Sequence, residues 1–165
     1  MKKIFICLLI ASISQSCVFL AAPITKSKAT KNLTVEKNAI PPDLGRDDTY
    51  VIGLLDERRS RDKYLIKHIE KNYKGKYVFS TEKDLTVKYA DVDTYRYVLK
   101  YKRINNTVYY NTSMTDVPSS NYFIYDRKED KIYNSGFHSG MFGKVIKAYA
   151  QNMEKQRLVN LEKQK

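Results

Sequence analysis

Apolar and polar positions divide the chain into three regimes. Residues 4–13 are almost unbroken in apolar character. Residues 23–46 show no apolar period. From Asp47 onward, short runs and stripes recur with the spacings of packed elements.

In that third stretch, Tyr50-Val51-Ile52-Gly53-Leu54-Leu55 is a continuous apolar run and predicts a buried strand. Leu65, Ile66, Ile69 and Tyr73 then follow the 3–4 spacing of one helix face, with Lys63, Lys67, Glu70 and Lys71 between them. Asp56 and Ser60 are available caps, and Gly75 is a natural stop. Lys76 to Ser80 predicts a second strand, so this strand–helix–strand run predicts a crossover joining parallel strands. Thr81 with Asp84 resembles a capping box and predicts a short helix over about residues 82–89.

Residues 95–103 alternate. Tyr95, Tyr97, Leu99 and Tyr101 are expected to pack under the helices. Arg96, Lys100 and Lys102 then form a basic face or edge, with Val98 among them. Further strands are expected over residues 107–111 and 122–126. Arg127 to Asp130 reads as a charged turn into Lys131-Ile132-Tyr133. A last helix is expected from Ser139 or Gly140, with Phe142, Val145, Ile146, Tyr149 and Met153 as its apolar stripe. Beyond Lys155 the stripe weakens, and the tail is expected to fray. The sum is an α/β (α+β) domain over residues 47–165. It has a mixed sheet, two main helices on one face, a strand–helix–strand start and a long C-terminal helix.

The first two regimes add a compartment. Met1-Lys2-Lys3 precede the apolar run, which is shorter than the roughly 20 residues a bilayer span needs. Ser14, Ser16, Ala21 and Ala22 follow it. This positive–apolar–small order is that of a secretory signal, assigned here to residues 1–22. Cleavage after Ala22 leaves Pro23 at the amino terminus. Cleavage after Ser16 leaves Cys17, which raises lipidation of Cys17, although Ser14 stands where a lipobox carries Leu. Residues 23–46, with Pro41-Pro42 and Gly45, read as a flexible linker. The two cysteines, Cys7 and Cys17, both lie in or beside the leader, so the domain relies on core burial rather than disulfides.

The formal net charge is +12. So basic a chain favours acidic partners: anionic lipid head groups, cell-wall polymers or acidic glycans. Export disfavours nucleic acid.

Chemistry-bearing residues are sparse. The only histidines are His68 and His138, and neither has a second ligand at metal spacing. There is no nucleophile elbow, phosphate loop or cofactor motif. Asp47-Asp48, Asp91/Asp93 and Glu129-Asp130 read as turn residues. The segment 134–140 is the most unusual, with Ser135, His138 and Ser139 among glycines at an expected helix start. Its backbone N–H groups could hold an anion; it also reads as a glycine-permitted turn with Ser139 as the cap.

The order of elements, with Asp91-Val92-Asp93-Thr94-Tyr95-Arg96-Tyr97-Val98-Leu99 and Tyr122-Phe123-Ile124-Tyr125-Asp126-Arg127 before a terminal helix, resembles small exported bacterial envelope proteins. More distantly it is similar in layout to the amino-terminal domain of the Tol-system translocation protein and to outer-membrane lipoproteins that activate cell-wall synthases. The resemblance implies an α/β sandwich and a non-enzymatic role in the periplasm or at the outer membrane. The expected function is therefore binding of a protein partner or an anionic envelope component. The alternative is a small hydrolase or transferase with His138 as base.

Overall fold

The computed structural model describes residues 16–46, 48–110 and 113–164, and the side chains of all of these except 16–22, 108–110 and 113. Most of the expected leader, and the side chain of Cys17, lie outside that description. Among the described residues no helix is long and apolar enough to cross a membrane.

Among the described residues ten elements follow one another: α1 (Ser16–Asn32), β1 (Val51–Leu55), α2 (Arg59–Asn72), β2 (Tyr77–Thr81), α3 (Glu82–Val87), β3 (Tyr97–Tyr110), β4 (Ser113–Asp126), β5 (Lys131–Tyr133), β6 (His138–Ser139) and α4 (Phe142–Glu162). The sheet order is β2-β1-β3-β4-β5, with β6 also paired to β4. β1 is parallel to both β2 and β3, and the remaining pairs are antiparallel. The crossover expected from β1 through α2 to β2 is present, and the whole is a mixed-sheet α+β fold.

Alternation along the strands creates two cores. Val51, Tyr97, Leu99, Tyr122 and Ile124 meet α2 and α4 on one face. Ile52 and Val98 meet Leu85 of α3 on the other, joined by Tyr89, Tyr95 and Tyr125. Tyr95 thus belongs to the smaller cluster rather than under the main helices. It precedes β3, and its ring packs on Tyr89 with centroids 4.8 Å apart. The Thr81 cap is real, its Oγ1 accepting the Asp84 N–H at 3.3 Å.

Three expectations at the chain's ends and edges are corrected. First, residues 23–46 are not a tether. Ala29, Leu33, Ala39, Ile40 and Leu44 are all within 1% of full burial, in the main core. The reason lies on α4. Tyr149 donates to the Ala39 carbonyl. Asn152 donates to the carbonyls of Thr30 (2.9 Å) and Leu33 (2.6 Å). Gln156 donates to Pro42 (2.6 Å), and Asn160 to Pro42 (2.8 Å) and Leu44 (3.0 Å). Gln164 reaches Arg46. Tyr149, Asn152, Gln156 and Asn160 recur at 3–4 spacing as one stripe of α4, and Gln164 follows at the same spacing just past its end. They satisfy carbonyls that the irregular segment cannot satisfy by itself.

Second, the end of α4 does not fray at Lys155. It continues to Glu162, and Asn160 is buried, because that stripe has a partner.

Third, the helix does not start at Ser139. His138 and Ser139 pair with Asn121 and Ser120 as β6, and α4 starts at Phe142. Residues 107–110 and 122–126 of the expected strands are parts of one long hairpin, β3–β4, paired from Tyr97↔Asp126 to Tyr110↔Ser113, and Asn111 lies outside the described residues.

Gly45 turns the docked segment toward α4 with φ of +73°, and a Cβ there would collide with the Arg157 side chain. Gly45→Ala is expected to cost at least about 1 kcal/mol, the left-handed penalty alone. A thermal melt of the full chain checks this. An unchanged melting temperature would mean that the turn relaxes freely.

Candidate functional site

On α2, Arg61, Tyr64, Lys67 and His68 form a stripe beside the core positions Leu65 and Ile69. On α4, Lys144 and Lys147 stand one turn apart beside Val145 and Ile146. Both helices lie on the same sheet face and pack against each other, so the two polar stripes border one cleft. Its volume is about 650 Å³, and the first turns of both helices open onto it.

The floor is aromatic. Phe142 is buried, and its ring meets Tyr101 edge-on with centroids 4.7 Å apart. Tyr64 is half exposed and stacks on His68 at 6.2 Å with an interplanar angle of 11°. Gly143 makes room for it: a Cβ there would sit 3.0 Å from the Tyr64 ring. The Arg61 guanidinium carbon lies 5.0 Å from the Phe142 ring centroid and 5.3 Å from that of Tyr101. Arg61 also donates to Ser120 Oγ at 3.2 Å. It is thus held by cation–π contacts and a neutral acceptor rather than by an ion pair.

The charged side chains that line the cleft have one sign. Among the described residues, no carboxylate lies within ion-pair distance of Arg61, Lys67, Lys144 or Lys147. α4 has no acidic residue in its first turn to offset its dipole. His68 records the result. Burial first, then Lys147, Lys67, Lys144 and Lys71, push its pKa below the usual imidazole range. Its Nδ1 is buried without a hydrogen-bond partner. Converging cations, two helix starts and an aromatic floor are the chemistry of an anion site with an apolar wall.

The residues singled out from sequence lie elsewhere. In the 134–140 segment the side chains consume the backbone donors: Asn134 Oδ1 accepts from Gly136, Ser135 Oγ from Phe137, and Ser139 Oγ from Met141. His138 is exposed, its Nδ1 3.3 Å from the Gly136 carbonyl. The segment is a self-satisfied turn leading into β6.

Arg96, Lys100 and Lys102 do not share one basic face. Arg96 turns to the helix side. There it binds Asp126 through Nε (3.0 and 3.1 Å) and Nη2 (2.8 Å), and Asp43 through Nη1 (2.9 Å). Lys100 pairs with Glu82 at 3.0 Å and lies over Tyr125. Lys102 is exposed. Among the described residues, no three His, Cys, Asp or Glu groups are placed to hold a metal.

No protein-family model, curated protein or solved structure matches this chain. The functional reading therefore rests on the chemistry of the cleft. Sequence reasoning passed over Arg61, Lys67, Lys144 and Lys147 because each stripe alone is a solvated helix face. Only the α2–α4 packing joins them.

Proposed function

We propose that this chain is an exported, non-catalytic envelope protein that binds an anionic envelope component, a phosphate-bearing lipid head group or polymer, in the cleft between α2 and α4. The observation that carries the reading is the convergence of Arg61, Lys67, Lys144 and Lys147, with no carboxylate in ion-pair distance among the described residues, over the aromatic floor of Tyr64 and Phe142. Rim cations attract the anion, the fixed Arg61 orients it, and the rings cover its apolar neighbour. Such binding weakens with salt, because exposed charges are screened beyond about 10 Å at moderate ionic strength.

The full chain is expected to sediment with phosphatidylglycerol vesicles and not with phosphatidylcholine vesicles. The double variant Lys144→Glu, Lys147→Glu is expected to bind at least about tenfold more weakly, as two reversed charges each contribute on the order of 1 kcal/mol near an anionic surface. Ligand binding should also raise the His68 pKa, since an anion favours the imidazolium. A proton NMR titration reads this directly. Equal binding by the charge-reversed variant, or a His68 resonance indifferent to vesicles and to inorganic phosphate, overturns the assignment.

A further inference from the structure

The hairpin β3–β4 is much longer than the sheet it belongs to. Among the described residues, β1 pairs with β3 only from Tyr97 to Leu99, and β4 is covered on its outer side only at Ser120–Asn121 by β6 and at Ile124–Asp126 by β5. From Lys100 onward the two strands continue as a ribbon. Cross-strand bonds stiffen it: Thr107 Oγ1 donates to Asp116 at 2.8 Å, and Asn106 donates to Ser119 Oγ at 2.7 Å.

The two edges of this ribbon differ. The Tyr97 N–H points to β1, donating to the Tyr50 carbonyl, and the Arg96 carbonyl points to β4, accepting from Arg127. Backbone groups alternate along a strand, so odd-numbered residues of β3 face the β1 side and even-numbered ones face β4. Past Leu99 no described strand occupies the β1 side. The N–H and C=O groups of Tyr101, Arg103, Asn105 and Thr107 are therefore an unpaired edge. On the other edge, Pro118 lies opposite Asn105 and so has its nitrogen directed outward, where it has no hydrogen to donate. That edge is blunted at Pro118 and taken by β6 beyond it.

The geometry points to the open edge of β3 as a dimerisation surface, occupied by β3 of a second copy of this chain in antiparallel, two-fold pairing about Asn105. The charges fit that occupant. Lys102 and Arg103 both lie at the near end of the edge, so reversing the second strand sets Arg103 opposite Thr107 and Lys102 opposite Val108. No like charges are then directly opposed, despite the basic chain. Odd-numbered residues meet odd-numbered residues in this register, which is what backbone pairing requires. A two-fold contact is isologous, so each copy uses up its own open β3 edge in it, and association stops at two copies. The surface runs along the edge of β3 from Tyr101, beside the cleft floor, outward to Thr107, and its strand pairing does not depend on the ligand of the cleft.

The test uses the full chain in two forms. In the first, Cys7→Ser and Cys17→Ser are combined with Asn105→Cys. Residues opposed across a hydrogen-bonded antiparallel pair have Cα atoms about 5.5 Å apart, within disulfide range. Mild oxidation is expected to give a disulfide-linked dimer, whereas Thr115→Cys on β4 in the same background stays monomeric. In the second, light scattering should show the unmodified chain doubling in mass with concentration, and Asn105→Pro remaining monomeric with little change in melting temperature. A monomer at every concentration overturns the proposal. So does a dimer that survives Asn105→Pro and fails to cross-link at Asn105→Cys, and so does a ribbon edge that captures a foreign strand while the chain itself stays monomeric.

Discussion

A chain shortened to residues 47–165 is expected to lose cooperative folding, although those residues contain the entire sheet and both main helices. The deleted segment holds Leu33, Ile40 and Leu44 in the main core, each fully or almost fully buried. Burial of such side chains is worth about 1.5–3 kcal/mol apiece. The deletion also exposes the face of α4 that they cover and strands Asn152 and Asn160 without their carbonyl partners. The combined loss is comparable to the whole stability of a small domain, about 5–15 kcal/mol. Thermal melts followed by circular dichroism should show a sharp transition for residues 23–165 and a broad, early one for 47–165. Asn152→Ala should fall between them, at about 1–3 kcal/mol for the buried carbonyls left unpaired. If 47–165 melts within a few degrees of the longer chain, the segment only decorates the fold.

That segment also shows why the sheet was legible in the sequence and the N-terminal docking was not. β1, α2, β2 and the turn into β5 carry their own periodicity, because each buries one face against the sheet or helices. Residues 33–46 have no period to read. Besides their own turn bonds, their carbonyls are paired by side chains of α4, more than a hundred residues away in sequence. The one local trace is Tyr149, Asn152, Gln156, Asn160 and Gln164 at helical spacing. Amides and a tyrosine on such a stripe read as a solvated face until something is found to lie on it.

The candidate site was less legible still. Arg96, Lys100 and Lys102 alternate as a face should, but alternation fixes direction only within a strand. Arg96 lies one residue before β3, free to turn toward Asp126. Ser135, His138 and Ser139 had the composition of an anion loop, but short side chains beside glycines satisfied the donors locally. The cations that do converge lie on two helices nearly eighty residues apart in sequence.

Asp126→Ala is the single substitution expected to do most damage. Asp126 has no exposed surface, and its partner Arg96 keeps only 11% of its side chain exposed. The pair joins three parts of the molecule. Arg96 approaches from the start of β3, Asp126 from the end of β4, and Asp43 from the docked N-terminal segment. The guanidinium also lies 4.9 Å from the Tyr97 ring centroid. Asp126 Oδ1 accepts the Lys128 and Glu129 N–H groups at 3.1 and 3.3 Å, so it closes the turn into β5 as well. Removing the carboxylate leaves a guanidinium largely out of water with Asp43 as its remaining close partner. Breaking a buried pair from one side costs about 3–5 kcal/mol. Denaturant unfolding should show that loss for Asp126→Ala. A smaller one is expected for Asp126→Asn, whose amide oxygen still accepts the two turn N–H groups. The double variant Arg96→Met, Asp126→Leu should recover much of the deficit, because apolar groups of similar volume remove the desolvation problem. A double variant as unstable as Asp126→Ala would mean that the turn bonds, and not the ion pair, are what Asp126 supplies.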